Sequence, residues 1–243
     1  MKPLSSLEKV FPDETPVYRM ECQMLSGLWG ETVSFQVAYT GDFVMRERLD
    51  VRVVSELAEH VHVRMVEMVP VGRATNGIVD DNYLKTTSGL YPDLLKDLKD
   101  GKVIVYSRQW RSLWVDVDIT NEIPAGEYEI ELQLIKEGEV VCSAKQKVTV
   151  IGTELPKLDI MHTEWMHADC LADYYHVEVF SEEHWKLLEN YFQEYVKRDC
   201  NMMLTPLFTS PLDTAIGLER TTCQLIDVEV KDGEDRKSTR LNS

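Results

Sequence analysis

Hydrophobic and polar residues alternate with a period of two over most of the first 152 residues. The alternation is regular in the segments 33–39, 113–119 and 128–134. A strand with one buried face produces this period, because successive side chains point to opposite faces of a sheet. We therefore expect several short strands and almost no helix in this part of the chain.

A hairpin turning near Gly138 is the clearest local prediction. Alternating residues up to Leu134 are followed by the polar segment 136–139 and by a second run from Val140 to Val150. The turn residues of segment 123–127 precede the first of these strands. Short strands separated by turn residues are typical of an antiparallel β-sandwich, to which we assign residues 1–153.

The pattern changes after Pro156. A short strand is predicted over 157–161, and Ser181 is a helix N-cap followed by two acids, which the helix dipole favours. Apolar side chains then recur at three- and four-residue spacing: Trp185, Leu188, Tyr191, Phe192, Tyr195 and Val196. Residues 201–208 are predicted as a strand that is apolar on both faces. This order indicates a βα unit with a parallel partner.

The predicted fold is thus a multidomain one, β and then α/β. An antiparallel β-sandwich is followed over residues 154–234 by the first units of an incomplete (β/α) barrel. Residues 221–230 are predicted as one more strand. Residues 235–243 are polar and without apolar period, which predicts disorder, and they resemble the translation of a common sequencing-adapter oligonucleotide. We predict that this tail is not native.

The net charge of the chain limits the classes of molecule that it is expected to bind. The chain has 26 Lys and Arg against 42 Asp and Glu, a formal net charge of -16. Such a charge repels phosphate backbones and anionic lipids, so neither nucleic acid nor a membrane is an expected partner. The five cysteines are widely spaced, which predicts free buried thiols, and no secretion signal is recognisable. We expect a cytoplasmic location.

Two clusters of polar and aromatic residues are candidates for ligand binding. The first follows the predicted strand 157–161 and contains Trp165, which could stack on a sugar, and His167 and Asp169, which could bind hydroxyl groups. The alternative is that these are packing or satisfied polar groups. The second cluster follows the strand 201–208; its candidates are Asp213, Glu219 and Arg220. These could bind substrate, and a surface ion pair is the alternative.

Other chemistries have no support in the sequence. His162 and His167 lie five residues apart and would point to opposite faces of an extended segment, so no metal site is predicted. The chain also has neither a nucleophile elbow nor a glycine-rich phosphate loop. We predict no cofactor.

The chain resembles the glycoside hydrolase family 123. The resemblance rests most specifically on His-Thr-x-Trp-x-His-x-Asp-Cys at 162–170 and Thr-Pro-Leu-Phe-Thr-x-Pro-Leu-Asp at 205–213. More generic support comes from the strand 30–36 and the hairpin entry 124–128. The resemblance implies a β-sandwich followed by a catalytic (β/α) barrel.

The same resemblance implies the hydrolysis of terminal β-linked N-acetylgalactosamine. In this retaining mechanism the substrate's own acetamido oxygen attacks the anomeric carbon, an Asp orients that group and an adjacent Glu is the general acid. The adjacent pair in this chain is Asp13-Glu14, before the sandwich strands. No catalytic residue is therefore assigned, and we expect a truncated, inactive fragment. The alternative is a non-catalytic β-sandwich module that binds a glycan or a protein.

Overall fold

The computed structural model describes residues 1–17, 24–42, 44, 46–75, 77, 82–157, 159–204, 206–209, 214–231 and 234–239. The chain divides into two compact units, Met1–Pro156 and Lys157–Ser243.

The first unit consists of two five-stranded sheets. In the first sheet the strands are ordered β1-β3-β8-β5-β6, and in the second they are ordered β2-β10-β9-β4-β7. The bounds are β1 Lys2–Ser5, β2 Met24–Trp29, β3 Thr32–Tyr39, β4 Glu47–Val54, β5 Val61–Val71, β6 Gly89–Asp97, β7 Lys102–Val105, β8 Arg111–Asp118, β9 Gly126–Lys136 and β10 Glu139–Glu154. Single 3₁₀ turns occur at Ala58–His60 and Lys99–Gly101.

The apolar residues of the alternating segments form the layer between the two sheets. Phe35, Leu113, Val115, Leu132 and Leu134 are each no more than 1% exposed and belong to one cluster drawn from both sheets. Burial of this layer is the main stabilising contribution to the unit. The structure thus confirms that the period of two marks the buried faces of a sandwich.

The predicted hairpin is confirmed as β9 and β10, which pair from Lys136 and Glu139 onward. Its two turn residues, Glu137 and Gly138, have φ values of 52° and 89°. Positive φ at both central positions matches the right-handed twist of the flanking strands. A two-residue turn therefore sets the register of this hairpin.

One strand pair differs from the expected antiparallel arrangement. β2 pairs with β10 in parallel, with Met24 opposite Lys147 and Leu28 opposite Ile151. A parallel pair joins segments that are distant in the chain, and alternation within each strand carries no information about such a pairing. The second sheet therefore has a parallel pair of strands at this edge and antiparallel pairs elsewhere.

The second unit contains helix α1, Ala168–Tyr175, and helix α2, Glu182–Lys197. α2 begins where the sequence predicts, since the Ser181 side chain accepts a hydrogen bond from the His184 N–H at 3.2 Å. α1 lies between the predicted strand 157–161 and the predicted helix start at Ser181, where no helix is expected from the sequence. Ala168, Leu171 and Ala172 have helical spacing and are buried, but eight residues are too few for the period to stand out.

The two strands expected on either side of α2 are not formed among the described residues of 157–161 and 201–208. Instead, Thr163 and Met202 form a single parallel bridge. Met202, Met203 and Leu204 are 38–41% exposed. Parallel strands are stable when neighbouring elements cover both faces, and here much of the apolar surface is open.

The end of the chain also differs from the prediction. Ile226–Lys231 forms β11, while the first half of the predicted strand 221–230 is not a strand. Glu234–Thr239 forms β12 and pairs antiparallel with β11, although the composition predicts disorder there. None of the helices among the described residues is long and apolar enough to cross a membrane.

Candidate functional site

An ion pair between Asp169 and Arg220 is the centre of the polar residues in the second unit. The Arg220 Nη2 lies 3.0 Å from the Asp169 Oδ1, and the Arg220 Nε also donates to the Asp169 Oδ2. The two side chains are 8% and 11% exposed. The structure thus joins one member of each predicted cluster, and the pair is buried instead of lying on the surface.

Helix α1 binds the segment after Gly217 through two consecutive residues of that segment, Arg220 and Thr221. Asp169 and Asp173 are four residues apart and lie on the same helix face. Arg220 pairs with Asp169, and the Thr221 hydroxyl donates to the Asp173 carboxylate at 2.6 Å. Because both contacts come from adjacent residues, the position of this loop follows that of α1.

His184 links the starts of the two helices, and sequence analysis did not single it out. Its side chain is fully buried. The Phe180 N–H donates to the His184 Nδ1 at 2.9 Å, so the ring proton is on Nε2, which donates to the Ala168 carbonyl at 2.9 Å. Since Asp169 follows Ala168, this histidine also positions the ion pair.

The apolar base of the site is a small cluster made by the helices and the loop. Its buried members are Ala168, Leu171, Leu188 and Cys223. Burial, with a further contribution from Asp169, raises the pKa of the Cys223 thiol to about 11. This thiol is therefore protonated and unreactive at neutral pH. In contrast to the predicted burial of all the cysteines, Cys170 is exposed.

The remaining candidates differ in their accessibility. Trp165 is 68% exposed just before α1 and can present its ring to a ligand. His167 is half-buried at the N-cap position of α1, and Glu219 is exposed beside Arg220. Asp213 lies outside the described residues. Trp165 and Glu219 are thus the candidates whose side chains face solvent.

Asn201 ties together the two segments that precede these loops. Its side-chain Oδ1 accepts from the His162 N–H at 2.9 Å, and its Nδ2 donates to the Ile160 carbonyl at 2.7 Å. The backbone N–H groups of Asn201 and Met202 both donate to the His162 carbonyl. A side-chain amide here replaces the ladder bonds of the predicted parallel strands.

This arrangement favours binding over proton transfer. Both oxygens of the Asp169 carboxylate already accept hydrogen bonds from Arg220, so this carboxylate is an acceptor held in place. The Asp13-Glu14 pair lies in the first unit, where the Lys85 Nζ contacts both carboxylates at 2.8 and 3.2 Å. Across the part of the chain that the structure describes, no group of three or more His, Cys, Asp and Glu side chains could hold a metal ion.

Comparison with known proteins gives one family. Residues 165–236 match the family model described as the glycoside hydrolase 123 catalytic domain. None of the curated proteins matches the chain.

Among solved structures, the chain is similar in fold to a family 123 glycoside hydrolase from Clostridium perfringens, whose structure concerns glycolipid glycan hydrolysis. The TM-score is 0.65 at 14% identity, over 89% of this chain and 38% of that protein. The chain therefore spans well under half the length of that hydrolase. The N-terminal domain of PorA matches with a TM-score of 0.26 at 9% identity, over 60% of this chain and 99% of that domain.

Proposed function

We propose that this chain, which is a glycoside hydrolase 123-like protein, is part of an enzyme that cleaves glycosidic bonds in glycans. The match of residues 165–236 to the catalytic domain carries this proposal. Trp165, Asp169, Glu219 and Arg220 all lie within the matched segment. The ligand-binding candidates thus belong to the part of the chain that is similar to the hydrolase.

We assign the roles of these residues from their geometry. The exposed ring of Trp165 offers an apolar face on which a sugar can stack. His167 and Glu219 supply hydrogen-bonding groups at the edge of the same loops. Asp169 and Arg220 are already paired, and so they are positioning residues for the segment that carries Glu219.

The proposed substrate is a glycan that ends in β-linked N-acetylgalactosamine. Cleavage proceeds with retention, as the acetamido oxygen of the sugar attacks the anomeric carbon while a general acid protonates the leaving oxygen. An Asp-Glu pair performs the orienting and protonating steps. In this chain such a pair occurs at Asp13-Glu14, where Lys85 binds it in the first unit.

We therefore propose that the pair lies in a further part of the barrel and that this chain by itself does not hydrolyse the substrate. The match to the hydrolase supports this proposal, since it covers 89% of this chain and 38% of that protein. So does the exposure of the apolar residues Met202, Met203 and Leu204, which further βα units would cover.

Hydrolysis of 4-nitrophenyl N-acetyl-β-D-galactosaminide tests the proposed activity. A longer form of the protein with further βα units should release nitrophenol, and the 243-residue chain should not. The corresponding galactoside without the acetamido group is the control, and the longer form should leave it intact because no internal nucleophile is present. Replacing the Asp of the proposed pair by Asn should lower turnover by roughly 100-fold or more.

Turnover by the 243-residue chain would contradict the proposed inactivity. If that turnover were lost in Asp169→Asn or Glu164→Gln, the chemistry would belong to the segment that leads into α1 and to its first turn. Equal cleavage of both aryl glycosides by the longer form would instead rule out substrate assistance.

A non-catalytic module that binds a glycan or a protein is the second candidate. One observation favours it: the unit Met1–Pro156 has a complete core of its own and is the larger part of the chain. Failure of the longer form to cleave either aryl glycoside would support this alternative.

A further inference from the structure

Charged side chains replace the apolar core at one end of the sandwich interior. Arg111 is two residues before the fully buried Leu113 on β8, and Glu47 is two residues before Leu49 on β4. Residues two apart in a strand share a face, so both charges point toward the layer between the sheets. Met65 of β5 pairs with Leu113, which places Glu67 at the same end.

A cavity of about 550 Å³ opens at this end of the sandwich. Its volume is in the range of sites that hold small ligands. Strands of both sheets contribute to its wall, and most of its side chains are charged. The basic residues are Arg46, Arg48, Lys96, Lys99, Lys102 and Arg111, and the acidic ones are Glu47, Glu67 and Asp97.

The wall of the cavity has a net positive charge, whereas the whole chain has a net negative charge. Arg48 pairs with Asp100 at 3.0 Å and Lys102 with Asp50 at 3.1 Å, while Glu47 is neutralised by Lys136 at 3.0 Å. These partners lie outside the cavity wall. Four cations remain against two carboxylates, and within the described residues none of the four forms an ion pair. A positive site on a chain of charge -16 indicates selection for an anion.

The wall also contains one hydrogen-bond donor that has no partner among the described residues. The Arg111 Nε is buried without a partner in the described parts of the chain, while the Arg111 Nη2 donates to the Gln109 Oε1 at 3.2 Å. The Arg111 guanidinium lies 5.2 Å from the centre of the Tyr106 ring, which orients it.

We propose that this cavity binds an acidic saccharide, one whose sugar carries a carboxylate or a sulfate. The four cations without an ion pair among the described residues, together with the Arg111 Nε, fit such a group, and the Tyr106 ring supplies an apolar surface beside it. The preference for an anion rests on the cavity alone. The saccharide class rests on the proposed function.

Calorimetric titration of the full chain tests this site. The probe is the unsaturated disaccharide of chondroitin 6-sulfate, which has one carboxylate and one sulfate, and N-acetyllactosamine is the neutral control of the same size. We expect the acidic disaccharide to bind and its affinity to fall as NaCl is raised, since salt screens exposed charges. The neutral disaccharide should give no heat of binding.

A double variant, Lys96→Gln with Lys99→Gln, removes two exposed cations from the wall without touching the core. It should weaken binding of the acidic disaccharide about tenfold. The matched control is Lys145→Gln, an exposed lysine of β10 that pairs with Glu129 and does not line the cavity. This control should keep the original affinity.

Several results would overturn the proposal. These are no binding of the acidic disaccharide, equal affinity in the double variant, or competition by inorganic sulfate at the same concentration as the disaccharide. Binding of an oligonucleotide without binding of the disaccharide would show that the cavity recognises a polyanion and not a saccharide. Since the readout is binding, failure of the proposed hydrolysis leaves this test interpretable.

Discussion

At the scale of single residues, the pairing of Asp169 with Arg220 decides what the loop after Gly217 can do. The two residues are 51 positions apart, and each is nearly buried. Neither charge would be stable there without the other, because desolvation of an unpaired ion costs several kcal/mol. The fold of the second unit therefore requires this ion pair. The pair also fixes the position of Glu219, which is the residue before Arg220.

We expect Asp169→Asn to destabilise the second unit by about 3–5 kcal/mol, because it leaves the buried Arg220 without a counterion. Urea unfolding followed by circular dichroism at 222 nm measures this loss, since both α-helices in the described part of the chain belong to that unit. Glu194→Gln is the matched control. It removes an exposed partner of Lys197 and should leave the unfolding midpoint unchanged. An equal midpoint for the two variants would refute this account.

At the scale of elements, α2 shows how local signals and packing combine. Ser181 caps its first turn, Glu182 and Glu183 follow where the dipole favours acids, and Lys197 ends it. One face packs on the cluster of Leu188, while Trp185 stacks on Phe180 and remains 44% exposed. The residues next to the start of α2 thus determine where the helix begins, whereas the burial of its apolar side chains depends on other elements that pack against it.

Ser181→Ala should cost about 1 kcal/mol, because it removes the acceptor of the His184 N–H. The measured quantity is the midpoint of the same helix signal on heating. Ser181→Asp retains an acceptor at the cap and should keep the original midpoint. If alanine and aspartate shift the midpoint equally, the cap contributes nothing and the packing of α2 alone sets its stability.

At the scale of the whole molecule, the two units differ in how well they cover their apolar residues. The sandwich has a continuous buried layer. In the second unit Trp185 and Val196 on α2, and Leu207 and Phe208 beyond it, are 44–69% exposed. Exposed apolar residues in such number mark a surface that another element or molecule covers.

We expect the 243-residue chain to bind a hydrophobic dye and to self-associate in analytical ultracentrifugation. Replacing Trp185 by Gln together with Val196 by Lys should reduce both effects, because the two side chains contribute to one groove on α2. Val44→Lys is the control; Val44 is fully exposed in the other unit, outside that groove. A monomeric, dye-silent chain would show that the second unit is compact as it stands.

The amino-acid sequence by itself determined the local features of this protein. Alternation over β3, β8 and β9, the turn at Gly138 and the cap at Ser181 were all predictable, because each depends on neighbours in the chain. Tertiary structure decided the parallel pairing of β2 with β10, the helix α1 and the contact of Asp169 with Arg220. These depend on residues far apart in sequence, whose proximity no local period encodes. The Asn201 bridge belongs with them, since only folding places an amide where a strand partner was expected.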